Sequence, residues 1–103
     1  MNVYQWTIKT DGPLTETGLT NKLEQMGYVC TLYTYPKGTF FPAHTHETDK
    51  IDAVLKGQFK ISMTGESVIL NAGEYVIIPK GTIHSAEVIG EESVVSIDAV
   101  KSG

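Results

Sequence analysis

The sequence predicts an all-β domain, a sandwich, jelly roll or barrel, carrying one short α-helix near its N-terminus. Three observations predict it. Past Gly27 the chain is a succession of short runs rich in Val, Ile, Tyr, Phe and Thr, side chains that suit a pleated, half-buried surface. Turn residues punctuate those runs at Pro36-Lys-Gly38, Gly57, Gly65, Asn71-Ala-Gly73, Pro79-Lys-Gly81 and Gly90, the rhythm of successive strands rather than of βαβ units. Helical periodicity occurs once, where Leu19, Leu23 and Met26 fall at i, i+4 and i+7.

In chain order, Trp6 to Lys9 is expected as a short first strand, followed by a turn at Asp11-Gly-Pro13. A helix is expected over 15–26, with Thr15 or Thr17 capping it, Glu16 in its first turn and Gly27 as its stop. Gly18 weakens it by about 1 kcal/mol relative to alanine. Strands are expected over 28–35, 39–46, 50–56, 58–64, 67–70, 75–78, 83–88 and 93–100. In 50–63, Ile51, Ala53, Leu55, Phe59, Ile61 and Met63 repeat with a period of two, which by pattern assigns that face to the core.

Composition narrows the class. A chain of 103 residues with 41% apolar side chains is expected to be one domain over 1–103. A net charge of −4 with 8 basic residues argues against nucleic acid, which demands a dense cationic footprint. No apolar run approaches the ~18 residues of a membrane helix, and the opening Met-Asn-Val-Tyr-Gln-Trp lacks a signal pattern. A soluble, cytoplasmic protein is therefore expected, with no membrane partner. Cys30 is the only cysteine, which excludes an intrachain disulfide and a thiolate-rich zinc site; it reads as a small buried side chain in a strand.

The chain has 3 histidines, His44, His46 and His84. On a strand, residues i and i+2 point to the same side, so His44 and His46 can reach one ion. Two strings frame them: Gly38-x5-His44-x-His46-x3-Lys50-x6-Gly57, and Gly73-x5-Pro79-x-Gly81-x2-His84. Together these resemble the paired signatures of the cupin superfamily, over residues 38–88. The resemblance implies a cupin-type jelly-roll β-barrel with a short N-terminal α-helix, the barrel spanning about 28–100. It also implies a divalent transition metal (Fe, Mn, Ni or Zn) inside the barrel, held by His44, His46 and His84. Such a centre, with positions left open, is of the catalytic rather than the structural kind.

The chain departs from the family pattern in two places. Lys50 stands where a glutamate usually supplies the fourth ligand, and Val88 stands where an asparagine often ends the second motif. An ammonium beside a divalent ion is unfavourable unless deprotonated or turned away. Asp52, on the same strand face as Lys50, is either a substitute ligand or Lys50's partner in contacting substrate or acting as base. Carrying the family's ligand position over turns Lys50, Asp52 and Val54 inward, which conflicts with the alternation of 51–63. Both hold if a second subunit or the N-terminal helix buries the other face, and a homodimer is expected. Glu47, Thr48 and Asp49 read as a solvated loop. Tyr28, Tyr33, Tyr35, Phe40 and Phe41 read as packing, some of them lining the barrel mouth. Asp98 interrupts an apolar strand and reads first as an exposed strand residue, with the interior or an edge as the alternative.

The resemblance implies a metalloenzyme with dioxygenase-like or isomerase-like chemistry on a small organic substrate, or a non-catalytic small-molecule or metal-binding sensor module. A structural subunit using the outer sheet face is a third reading. Fold alone does not select among them.

Overall fold

The computed structural model describes residues 1–102. In order these form β1 (Val3–Gln5), α1 (Ile8–Asp11), α2 (Glu16–Gln25), β2 (Tyr28–Tyr35), β3 (Phe40–His44), β4 (Lys50–Lys56), β5 (Gln58–Met63), β6 (Glu66–Leu70), β7 (Glu74–Ile78), β8 (His84–Ile89) and β9 (Val94–Lys101). Two antiparallel sheets stack: β1-β7-β4-β9-β2 and β3-β8-β5-β6. The expected runs from 28 onward all become strands, most of them shifted by a residue or two at their ends.

The first expectation is corrected. Trp6–Lys9 is not a strand; β1 lies upstream, pairing Tyr4 with Tyr75 of β7, and Ile8–Asp11 is a single helical turn. The turn forms because Asp11 Oδ2 accepts from the Thr7 backbone N–H at 2.9 Å, a local bond that competes with extension. Trp6 turns inward and donates from Nε1 to the Gly12 carbonyl at 2.9 Å.

Helix α2 begins as expected at Thr15, whose hydroxyl accepts from the Gly18 N–H at 3.0 Å, satisfying one orphan donor of the first turn. Its apolar stripe buries Leu19 and Leu23 completely, whereas Met26 at the C-cap is 37% exposed. Gly18 has a packing reason to be glycine. A Cβ there would stand 3.2 Å from the Trp6 ring and 3.1 Å from Thr15 Oγ1, so the ordinary gain from alanine is offset by crowding against the cap.

Two apolar clusters result. One lies between the sheets and includes Val54, Phe59, Ile61, Leu70, Val76 and Val94. The other joins α2 to the outer face of the five-stranded sheet, through Leu19, Leu23, Ile51, Ala53, Tyr75 and Ile97. The unbroken alternation of 51–63 is thus two faces, not one. Ile51 and Ala53 look outward to α2, while Phe59, Ile61 and Met63 look inward. The parity changes where the β4–β9 register shifts between Val54 and Lys56 and where Gly57 turns the chain into the other sheet at φ 87. Lys50, Asp52 and Val54 therefore face inward with no conflict. Helix α2 of the same chain covers Ile51 and Ala53, so this face does not require a second subunit.

Gly57 is the hinge of that arrangement. A Cβ would lie 2.6 Å from the Ser93 carbonyl oxygen, on a backbone conformation that L side chains avoid. Gly57→Ala is expected to cost at least about 2 kcal/mol, read from the urea midpoint. A variant as stable as the parent would show that the β4–β5 crossing is not held tightly here.

Candidate metal centre

Strand β3 runs antiparallel to β8 and sets His44 opposite His84. Between Phe41 and His44 the register shifts, and Pro42 sits in the irregular stretch, where its missing N–H removes no ladder bond. The strand ends at His44, so the expected 39–46 segment is too long and His46 lies in the following loop. His46 reaches the other two by a different route. Its carbonyl accepts from the Gly81 N–H at 2.9 Å, and Asp49 Oδ1 accepts from the Lys80 N–H at 2.8 Å. The turn of the second motif thereby fastens the loop of the first, giving Asp49 of the expected solvated loop a structural task.

The three imidazoles meet. Ring centroids are separated by 4.3 Å for His44–His84, 4.8 Å for His44–His46 and 5.1 Å for His46–His84. One candidate ligand nitrogen from each lies within 4.8 Å of the others. Nδ1 of His44 bonds the Pro42 carbonyl at 2.6 Å, and Nδ1 of His84 bonds the Thr82 carbonyl at 2.9 Å. A carbonyl only accepts, so in each ring Nδ1 carries the proton and Nε2 presents its lone pair. Fixing the tautomer through Nδ1 is how metal-binding histidines are commonly held. His46 Nε2 is buried without a hydrogen-bond partner, a costly state that a bound cation would relieve. Burial, aided by the Lys50 charge and the neighbouring imidazoles, holds the His46 pKa below its ordinary 6.5, which keeps the ring neutral near pH 7. The cluster thus fits a divalent ion on tautomer, charge and proximity.

Beside the histidines a cavity of about 170 Å³ opens. Tyr35, Phe41, Phe59 and Ala86 make its apolar side; Lys50, Asp52 and Asp98 make its polar floor. Tyr35 packs edge-on to Phe41 at 4.9 Å and tilted to Phe59 at 5.6 Å. Of the other aromatics named from sequence, Tyr28 is buried in the outer cluster and Tyr33 and Phe40 are exposed. Phe59, which the sequence offers only as part of an apolar run, completes the aromatic wall.

Lys50 is 7% exposed and Asp52 6%, which makes their chemistry interdependent. The ammonium lies 3.2 Å from Asp52 Oδ1 and 2.5 Å from Asp98 Oδ1. Asp98 stands opposite Asp52 in the β4–β9 register, which corrects the exposed position expected of it: it turns to the interior, where Lys50 holds it. Its legible signal was parity: Asp98 alternates with Ile97 and Ala99, which face the helix. Asp52 is outside the histidine cluster and engages Lys50.

Burial works against the Lys50 ammonium, but the two carboxylates outweigh it and hold its pKa above the ordinary 10.5. Burial pushes Asp52 up, with the Asp98 charge adding and Lys50 opposing. Burial, then the charges of Asp98 and Asp52, raise Tyr35 well above 10.0. Burial also raises Tyr28 from 10.0 and Cys30 from 9.0. A group whose pKa is raised by folding contributes stability present below its unfolded value and lost as pH climbs through the folded one. Stability is accordingly expected to decline above about pH 9, as the pH climbs past the ordinary values of Cys30, Tyr28, Tyr35 and Lys50. Urea midpoints between pH 7 and 11 check this, and an unchanged midpoint would contradict the burial of these groups.

Comparison with known proteins agrees with the geometry. A family model described as "Cupin domain" matches residues 31–100, which include the three histidines, Lys50, Asp52 and Asp98. The chain is 42% identical over 50 residues to quercetin 2,3-dioxygenase of Bacillus subtilis strain 168, covering 48% of this chain and 15% of that protein. It is 32% identical over 66 residues to nitrosourea synthase of Streptomyces achromogenes subsp. streptozoticus, covering 63% of this chain and 14% of that one. The chain thus spans about a seventh of the length of these curated relatives. Among solved structures, an RmlC-like cupin from Shewanella frigidimarina NCIMB 400 superposes with a TM-score of 0.66 at 21% identity, over 75% of this chain and 68% of that one; at that identity the likeness shows the fold alone.

Proposed function

The chain belongs to the cupin family, and on that footing we propose that it holds one divalent transition metal through His44, His46 and His84 and acts on a small organic molecule beside it. The observation that carries this reading is the meeting of three imidazoles, two with Nδ1 tied to backbone carbonyls, at the wall of a cavity. Fe, Mn, Ni and Zn all suit imidazole. A bound ion would supply Lewis-acid or redox chemistry. The chain's own residues would do the rest. Tyr35, Phe41 and Phe59 shield the cavity from water and orient the apolar part of the ligand. Asp52 would accept a proton at its carboxylate as general base, with Lys50 holding that carboxylate in place and contacting the ligand. Dioxygenase-like or isomerase-like turnover fits such a site, and the name of the Bacillus relative favours the first.

One observation favours a second reading, a non-catalytic binding or sensor module: the position of the family's carboxylate ligand holds Lys50, already paired with two aspartates. In either case we propose a cytoplasmic homodimer. Cys30 is a free thiol, as the reducing cytoplasm favours. Strand β2 is an unpaired sheet edge without a charged residue, leaving Val29, Leu32 and Tyr33 exposed, an edge that proteins usually cover.

Elemental analysis of the untagged protein purified without chelator tests the reading. A stoichiometric transition metal is expected, and a metal-free protein after growth in metal-supplemented medium would refute it. Oxygen uptake with diketones, flavonoids and thiols then separates turnover from storage or sensing.

A further inference from the structure

We infer that the cavity takes a neutral, hydroxyl-bearing molecule about the size of one six-membered ring, and that Asp98 is the residue that discriminates against anions. This rests on the reading of the cavity as a ligand site, but not on the metal. Size comes first. The cavity measures about 170 Å³, and a dry apolar cavity of about 150 Å³ holds one benzene. Tyr35, Phe41 and Phe59 present aromatic edges and faces on one side, the arrangement against which a single ring packs well.

Charge narrows the class further. A lone buried lysine would make the floor a receptor for anions. Lys50 is not alone, because Asp52 and Asp98 both contact its ammonium. One positive charge then faces two negative ones. If Asp52 holds a proton, the sum is zero. In neither state is positive charge left over for a carboxylate.

The hydrogen-bonding capacity of the lining points the same way. Asp98 Oδ1 meets the Lys50 ammonium at 2.5 Å, and a carboxylate has about four lone-pair sites, so the Asp98 side chain keeps capacity to accept from a second donor. Two carboxylates beside one ammonium leave the polar floor with accepting capacity in excess, which calls for a ligand that donates an O–H or N–H. Asp98 is the partly exposed member of the triad, with a side chain 27% exposed, and can meet an entering ligand without rearranging the buried pair.

Titration calorimetry on the full-length, metal-stripped protein with phenol and benzoate, two single-ring probes differing in charge, tests this. Phenol is expected to bind, with benzoate at least about tenfold weaker. Asp98→Asn keeps the shape and removes one negative charge, and should bring the two affinities to within about threefold. Asp98→Ser serves if the amide does not fold. Benzoate matching phenol in the parent, an unmoved ratio in the variant, or no saturable phenol binding would each overturn the proposal. With the metal removed, its failure stays separate from that of the metal reading. A chain that binds no ion yet prefers phenol would sink only the metalloprotein, and a chain that loads an ion yet shows no preference would sink only this selectivity.

Discussion

Replacing His84 by alanine is expected to lower divalent-metal affinity by more than about 100-fold, with the barrel still folded. Removing one of three imidazoles leaves His44 and His46, with no carboxylate in the cluster to take its place. The ring faces the cavity, so its loss leaves the inter-sheet cluster intact and should cost about 1 kcal/mol of stability. Metal per chain by elemental analysis, with the far-ultraviolet circular dichroism and urea midpoint as folding controls, reads both quantities. Unchanged metal content in a folded variant would show that these rings are not the ligands. The same measurement on His46→Ala probes the loop ligand, whose position depends on the Gly81 N–H bond to the His46 carbonyl.

Replacing Lys50 by methionine is expected to destabilise the protein by about 3–5 kcal/mol at pH 7. Methionine fills a similar volume, so packing changes little. The loss comes from two carboxylates, on residues facing each other in the β4–β9 register, left without their cation. The pH dependence identifies the cause. Burial already raises Asp52, and removing the opposing Lys50 charge raises it further. A raised carboxylate pKa means stability regained as pH falls through it towards the ordinary 3.8. The variant should therefore recover much of its loss between neutral pH and about pH 5, the reverse of common acid denaturation. Adding Asp52→Asn should restore stability at pH 7 by removing the uncompensated charge. A loss below about 1 kcal/mol, independent of pH, would show that the triad is solvated rather than buried.

These expectations depend on side chains that the sequence presented with unequal clarity. Strand β4 was legible because Ile51, Ala53 and Leu55 alternate with a period of two and Gly57 ends the run. The helix start at Thr15 was legible because a hydroxyl precedes a lone apolar stripe. The segment 6–11 was not, since the choice between strand and helical turn was made by the Asp11 bond to the Thr7 N–H and by the Trp6 contacts with Gly12 and Gly18. The histidines were legible as a set through spacing. That His46 reaches the cluster from a loop was not legible, because its anchor is the distant Gly81. Asp98 was visible only as an interruption, and its partnership with Lys50 required β9 to lie beside β4.

By itself the order of residues determined the class of fold, the run of strands and the identity of the three imidazoles, because turn residues, side-chain alternation and motif spacing are local properties of the chain. Tertiary structure alone decided which side of each strand is lined by what. A single register shift beside Gly57 reverses parity and sends one apolar alternation into two different cores. It also decided that Lys50 is compensated twice over, since the charge a buried group presents depends on neighbours brought from remote strands.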